Sequence, residues 1–270
     1  MSPPPVLTIA GSDCSGGAGI QADMKSISAN GGYALTALTS VVSETPGLVS
    51  QIRLLDADFI VDQIRVLFGG FPIRAAKTGM VGGAEQIHAV AKAWREHAGG
   101  VPLVVDPVMV ATSGGRLLKD DAVETLCAEL LPLATLITPN MDEAAVLWGR
   151  AVTTRDEMAA CAADLASKYQ TAVLVKGGHL IGDAAADVLV TAGGASWHET
   201  ARTPGVHTHG TGCTYSSAIA AGLARGLDLV SAVASAKNYV SRAIAQHFRW
   251  GEALDALNHF PAGGSQGLSA

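Results

Sequence analysis

Long hydrophobic runs are missing. No apolar stretch reaches the roughly 20 residues that a membrane-spanning helix needs, so the chain reads as one with no membrane partner. Blocks of like charge are missing too: 18 Lys and Arg against 24 Asp and Glu leave a net charge of −6 with no basic patch. That argues against a nucleic-acid surface or a polybasic membrane contact. Any bound phosphate must be neutralised locally. Cysteine is scarce, and Cys14, Cys127, Cys161 and Cys213 show neither CxxC nor Cys/His metal spacing. Reduced thiols in a cytoplasmic protein is the simplest reading. The opening Ser2-Pro3-Pro4-Pro5 lacks the apolar core of a secretory signal and is expected to be a short extended leader, residues 1–5. Aromatics make up only 5% of the chain. What remains plentiful is alanine, glycine and the aliphatic residues, over a length of 270 that can bury a full core. That balance suits an α/β protein with Val/Ile/Leu strands.

The chain alternates short aliphatic runs with helical stretches. Val6–Ala10 reads as a buried strand that runs into the loop Gly11-Ser12-Asp13-Cys14-Ser15-Gly16-Gly17-Ala18-Gly19, with a helix from Ile20 to about Asn30. The glycines do not have dinucleotide-fingerprint spacing, and no Walker lysine-serine pair occurs. Tyr33–Val42 is a second apolar segment, closed by Ser43-Glu44-Thr45-Pro46-Gly47. A helix is expected over about Asp58–Phe68, a strand from Ile73 into Lys77-Thr78-Gly79-Met80, and a helix to about His97. Val101–Val105 ends in Asp106-Pro107-Val108-Met109, which puts an acid at the carboxyl end of a strand, where open α/β sheets keep their chemistry. Leu133–Ile137 leads into Thr138-Pro139-Asn140-Met141-Asp142-Glu143, where Asn140 and Glu143 have capping-box spacing. A helix over Arg155–Tyr169, a strand over Ala172–Lys176 with Gly177-Gly178-His179, and a hairpin of Asp187–Thr191 with Ser196–Ala201 follow. The last long helix is expected over Leu229–His247. One domain with a mainly parallel central sheet and helices on both faces is the expected architecture, followed by a flexible tail over 262–270.

His209-Gly210-Thr211-Gly212-Cys213 is the centre of this reading. Two glycines around a threonine let backbone N–H groups converge, and the helix that follows offers its positive end to an anion. At that helix start a thiol's pKa is expected to fall. Plain packing of a glycine turn against an alanine-rich helix accounts for the same residues, so the motif alone does not decide.

The combination does. The loops around Gly11–Asp23, Lys77–Met80, Asp106–Met109, Thr138–Glu143, Lys176–His179 and His209–Cys213 together resemble the ribokinase superfamily and, within it, the hydroxymethylpyrimidine/phosphomethylpyrimidine kinases of thiamin biosynthesis. The resemblance spans roughly residues 6 to 250. It implies a ribokinase-like fold, a homodimer, and ATP-dependent phosphorylation of 4-amino-5-hydroxymethyl-2-methylpyrimidine to its monophosphate and then the diphosphate. By the same resemblance, N–H groups of Gly210, Thr211 and Gly212 form an anion hole, and Cys213 accepts or orients the substrate hydroxyl proton. Sugar kinases of the superfamily carry Asp in that last position. Asp106 and Glu143, with Asn140, are expected to organise Mg²⁺; Lys176 is expected at the ATP phosphates. Lys237 is a weaker nucleotide candidate, an exposed helical lysine being an equal alternative. Ala18, Asp23, Glu44, Met80 and Val108 are expected to line the pyrimidine pocket, although Asp23 also reads as a solvated first-turn acid and Met80 as core filler. A pyridoxal/pyridoxine kinase of the same superfamily is the nearest competing function, and a non-catalytic nucleotide-binding module is the competitor of another class. Glu252–Leu257 departs from the family pattern and is assigned nothing, and Cys14 stands where relatives often carry Ser or Pro.

Overall fold

A computed structural model describes residues 2–109, 118–178, 180, 182, 184–206, 209–251 and 254–263. The elements run β1 (Pro5–Asp13), α1 (Gly19–Ala29), β2 (Tyr33–Thr45), β3 (Leu48–Leu54), α2 (Ala57–Gly70), β4 (Ala75–Thr78), α3 (Ala84–His97), β5 (Leu103–Val105) and α4 (Asp120–Thr125). There follow β6 (Leu136–Ile137), α5 (Met141–Trp148), α6 (Arg155–Tyr169), β7 (Ala172–Gly177), β8 (Ala184–Thr191), β9 (Gly194–Ala201), α7 (Thr211–Ala224), α8 (Leu229–Ala245), β10 (Phe248–Trp250) and β11 (Leu254–Ala256).

Among the described residues β1 to β9 form one sheet in the order β3-β2-β1-β4-β5-β6-β7-β8-β9. The run from β2 through β1, β4, β5 and β6 to β7 is parallel, and β3, β8 and β9 add antiparallel edges. Aliphatic residues on both faces make this layout stable, because each central strand is covered twice. Along β1, Val6 packs toward α1, α7 and α8, while Leu7 and Ile9 pack toward α2, α3, α5 and α6. Period-two alternation within one buried strand thus feeds two separate cores.

Helices α5, α6 and α8 start on side-chain caps. Thr154 accepts from the Glu157 amide at the head of α6, whose span is the one expected from the sequence. Asn140 and Glu143 close a capping box on α5, which ends on a left-handed Gly149. α7 is built almost wholly of small residues, and most of its length is buried between the sheet and α8.

Several expectations change. The Tyr33–Val42 segment is the first part of a longer strand that turns at Pro46-Gly47 and pairs with β3, a strand not expected from the sequence. β5 and β6 are shorter than expected, and the last long helix stops at Ala245. Neither α4 nor the β10–β11 hairpin was anticipated. The expected tail falls mostly on residues outside those described, as does His179. No helix among the described residues is long and apolar enough to cross a membrane.

Candidate functional site

Strands β1, β4, β5, β6 and β7 all end on one edge of the sheet, and the loops after them enclose a cavity of about 300 Å³. One end of it is formed by the start of α7. Gly210 caps that helix with φ +79°, and a side chain there would run into the Gly17 carbonyl. Only glycine fits. No side chain caps the helix, so the first-turn amides of Thr211, Gly212 and Cys213 have no partner within it and face the cleft with the positive end of the helix dipole. A Cβ on Gly212 would stand 3.1 Å from Lys176 Nζ and 3.2 Å from Asp106 Oδ2. The turn therefore lies directly against a charged pair.

That pair is Lys176 Nζ to Asp106 Oδ1, at 2.7 Å. Thr138 Oγ1 donates to the same carboxylate oxygen at 3.0 Å. Burial opposes the charge on Lys176, but Asp106 and Glu143 outweigh it and the ammonium is held charged. Glu143 is itself buried. Its Oε2 accepts from the Asn140 amide at 2.8 Å, and its own amide donates to Asn140 Oδ1 at 2.9 Å. Burial raises the Glu143 pKa; Lys176 pulls it down and Asp106 pushes it further up. Two crowded, buried carboxylates with hard oxygen donors suit a Mg²⁺ ion that keeps part of its water.

The opposite end is organised by Asp13. Its Oδ2 accepts from Ala18 N at 2.7 Å, Ser15 Oγ at 2.9 Å, Gly17 N at 3.1 Å and His209 Nε2 at 3.0 Å. Burial alone would raise this carboxyl's pKa, but the His209, Ser15 and Ala18 hydrogen bonds outweigh it and hold it well below the carboxylate range. Asp13 and His209 thereby tie the glycine-rich loop after β1 to the turn before α7. Ligand atoms of Asp13, His209 and Glu44 lie within 4.8 Å of one another, but the donors on Asp13 already occupy the lone pairs a cation would need. Glu44 faces this pair from β2. Burial and Asp13 raise its pKa, with His209 acting the other way. Cys14 Sγ holds the Glu44 backbone, donating to its carbonyl at 3.2 Å and accepting from its amide at 3.3 Å.

Ala18, Glu44, Met80, Val108, Asp106, Asn140, Glu143, Lys176 and the Gly210–Cys213 turn all line this one cavity. Asp23 does not. It is fully buried, ion-paired to Lys77 Nζ at 2.9 Å, and accepts from Thr8 Oγ1 at 2.6 Å and Ser217 Oγ at 2.7 Å. It sits among α1, β1, β4 and α7 because its helix turns that face toward the sheet, so the expectation of a pocket-lining or solvated acid is corrected. Lys237 is not an exposed lysine either. It is buried and paired to Asp187 Oδ2 at 2.7 Å, beside a second cavity of about 160 Å³ that shares Lys176, Gly178 and Thr211 with the first. Cys213 also departs from expectation: its surroundings push the thiol up to about 11 by desolvation, which Asp23 and Asp106 reinforce and Lys77 opposes. Asp13 and His209 stand within the sequence motifs but carry no role there; a carboxylate three residues past the expected strand Val6–Ala10 and a histidine before the glycine turn are the available signal.

Against this geometry, residues 13–258 match the family model described as phosphomethylpyrimidine kinase. A hydroxymethylpyrimidine/phosphomethylpyrimidine kinase of Rhizobium meliloti is 43% identical over 257 residues, covering 94% of this chain and 96% of the relative. Among solved structures, a phosphomethylpyrimidine kinase of Clostridium difficile has a TM-score of 0.79 at 39% identity, covering 89% of this chain and 99% of that one. A Bacillus subtilis pyridoxal kinase in an ADP complex has a TM-score of 0.87 at 35% identity, covering 96% and 98%.

Proposed function

The chain belongs to the phosphomethylpyrimidine kinase family, and from that premise we propose that its cleft binds 4-amino-5-hydroxymethyl-2-methylpyrimidine at the Glu44 end and carries a phosphoryl group to it from ATP at the α7 end. The whole chain acts as one ribokinase-like domain. The observation that carries this reading is the meeting of the uncapped α7 turn with the Lys176–Asp106 pair, in the same cavity as Glu44. Phosphoryl transfer asks a protein mainly for alignment and charge neutralisation, and this end of the cleft supplies both.

In the first reaction the ring-borne alcohol oxygen attacks the γ-phosphorus, the bond to the β,γ-bridging oxygen breaks, ADP departs, and the hydroxyl proton passes to an oxygen of the transferred phosphoryl group and from there to solvent. In the second, an oxygen of the product's phosphate attacks in the same way. Amides of Gly210, Thr211 and Gly212 bind the migrating group, and Lys176 offsets its charge. Asp106 and Glu143, with Asn140, would hold Mg²⁺, whose charge neutralises phosphate oxygens when it is bound. With its pKa near 11, Cys213 is a thiol at neutral pH and serves by orienting the hydroxyl; a loose transition state needs little base assistance. The second cavity, with Lys237 and Asp187, takes the remainder of the nucleotide. The working form is a cytoplasmic homodimer without nucleic-acid or membrane partners.

Glu44 reads the ring. The substrate edge presents an amino donor beside a ring-nitrogen acceptor, which a carboxylic acid matches and a carboxylate does not. The raised pKa of Glu44 supports a proton shared between it and the ring nitrogen. Glu44→Gln is expected to bind the pyrimidine without the pH dependence of the wild type, and identical pH profiles for the two would remove the shared proton. A coupled ADP-release assay with the pyrimidine alcohol tests the whole reading, and absence of turnover with ATP and Mg²⁺ would overturn it. The likeness to a pyridoxal kinase at TM-score 0.87 keeps pyridoxal in that assay as the comparison alcohol, with the pyrimidine expected to give the higher kcat/KM.

A further inference from the structure

Arg202, the residue after β9, reaches back across the turn between β7 and β8. Its Nε donates to Gly182 O at 3.1 Å, its Nη1 to Gly178 O at 2.6 Å, and its Nη2 to Leu180 O at 2.8 Å and Ala184 O at 3.5 Å. A guanidinium has five N–H groups, so these carbonyls occupy four. The side chain has no carboxylate partner among these contacts; it is held by backbone dipoles. It also lines the second cavity, together with Lys176, Lys237 and Asp187. Gly178, one of the carbonyls it holds, lines both cavities and is two residues from Lys176.

We infer that Arg202 is a positioning residue for the nucleotide: it holds the backbone of Gly178, Leu180, Gly182 and Ala184 so that the wall shared by the two cavities is formed before ATP arrives. This rests on the reading that the second cavity takes the nucleotide. Donor arithmetic separates the role from direct phosphate binding. With four of its five N–H groups committed to carbonyls, Arg202 keeps one on Nη1, too few for a two-pronged grip on a phosphate unless it releases the backbone it holds. Preforming a binding wall removes an ordering cost from association, so its loss appears in nucleotide affinity and leaves the chemical step alone. Lysine in its place offers three donors from a point charge without the planar fork and keeps the turn only in part.

The experiment uses the full chain and steady-state kinetics of Arg202→Ala and Arg202→Lys, with amide hydrogen exchange over 178–184. In Arg202→Ala the KM for ATP is expected to rise ~10-fold, with kcat at saturating ATP and the KM for the pyrimidine alcohol within about twofold of wild type. Arg202→Lys should lie between, and exchange over 178–184 in the free protein should quicken in the same order. An unchanged KM for ATP in both variants overturns the role, as does a collapse of kcat at saturating ATP, which would mark a direct contact with the migrating group. If Arg202→Ala does not fold, Arg202→Lys decides alone by the same criteria. In wild type, a non-hydrolysable ATP analogue is expected to slow exchange over 178–184. No slowing would sink the nucleotide reading of the second cavity, whereas slowing with an unmoved KM would sink only the clamp.

Discussion

Lys77 and Lys176 stand in matching places. Each lies at the carboxyl end of a parallel strand, β4 and β7, just before a glycine-bearing turn, and each is paired with an aspartate. Their surroundings then diverge. Lys77 and Asp23 are fully enclosed, and Asp23 accepts two further hydroxyl hydrogen bonds, from Thr8 and Ser217. The Lys176 side chain keeps 13% exposure, and its pair opens onto the cleft beside the Gly212 turn. One pair is sealed under the start of α7 and the other stands in front of it. What separates a structural ion pair from a functional one is whether its remaining hydrogen-bonding capacity is spent inside the protein or left facing a cavity.

The sharpest way to break this comparison is to remove both cations and exchange the outcomes. Lys176→Ala is expected to lower kcat by ~10²–10³-fold, the range for losing a preorganised charge at a transition state, with a smaller fall in the unfolding midpoint than Lys77→Met gives, because the Asp106 carboxylate lines the cleft. A kcat within threefold would place the functional cation elsewhere. Lys77→Met should do the reverse. It strands a buried carboxylate, which costs about 3–5 kcal/mol, read as a lowered urea midpoint at constant slope. Lys77→Met with Asp23→Leu should recover most of that loss, because the desolvated charge goes with its partner. If Lys77→Met left stability untouched while abolishing turnover, the two lysines would have been assigned the wrong way round.

Cys213 lies in the field of both pairs. In a Cys14→Ser background, its alkylation rate should climb about tenfold per pH unit between pH 7 and 9 without a plateau, as a thiol with a pKa near 11 requires. A plateau below pH 9 would restore the low-pKa thiol expected from its place at a helix start. Lys77→Met should slow the reaction further, since Lys77 favours the thiolate.

The sequence could not separate the two lysines because both follow aliphatic strands and precede glycine. The difference comes from what packs above them, and Asp23, Thr8 and Ser217 are brought together from α1, β1 and α7 by tertiary packing alone. Signals carried within one turn of chain were readable. Thr154 with Glu157 marks the start of α6, and Asn140 with Glu143 marks α5. β3 was not readable, because Leu48-Val49-Ser50-Gln51-Ile52-Arg53-Leu54 has no buried residue and takes its strand form from pairing with β2. The cleft itself was legible as a set of polar strand ends. The Asp13–His209 link across it, between residues 196 apart in the chain, was not.

The first turn of α7 has a third support, and it is neutral. His259 is buried, and its Nε2 meets Thr214 Oγ1 at 3.1 Å, one residue past Cys213. Burial, with Lys25 adding to it, lowers the His259 pKa to about 4, against about 6.5 for an unfolded histidine. Between those values the unfolded chain binds the proton and the folded chain does not, so folding stability rises with pH across that window and is fully present above it. Acidifying through the window should cost about 3 kcal/mol from this residue. His259→Gln should lose that slope, so the difference between wild-type and mutant urea titrations, in which the carboxylates common to both cancel, should itself rise with pH across the window. A difference that stays flat from pH 4 to 6.5 would mean the imidazole is charged inside the fold. The start of α7 would then rest on cations behind as well as in front, and the contrast between a sealed pair and an open one would lose its force.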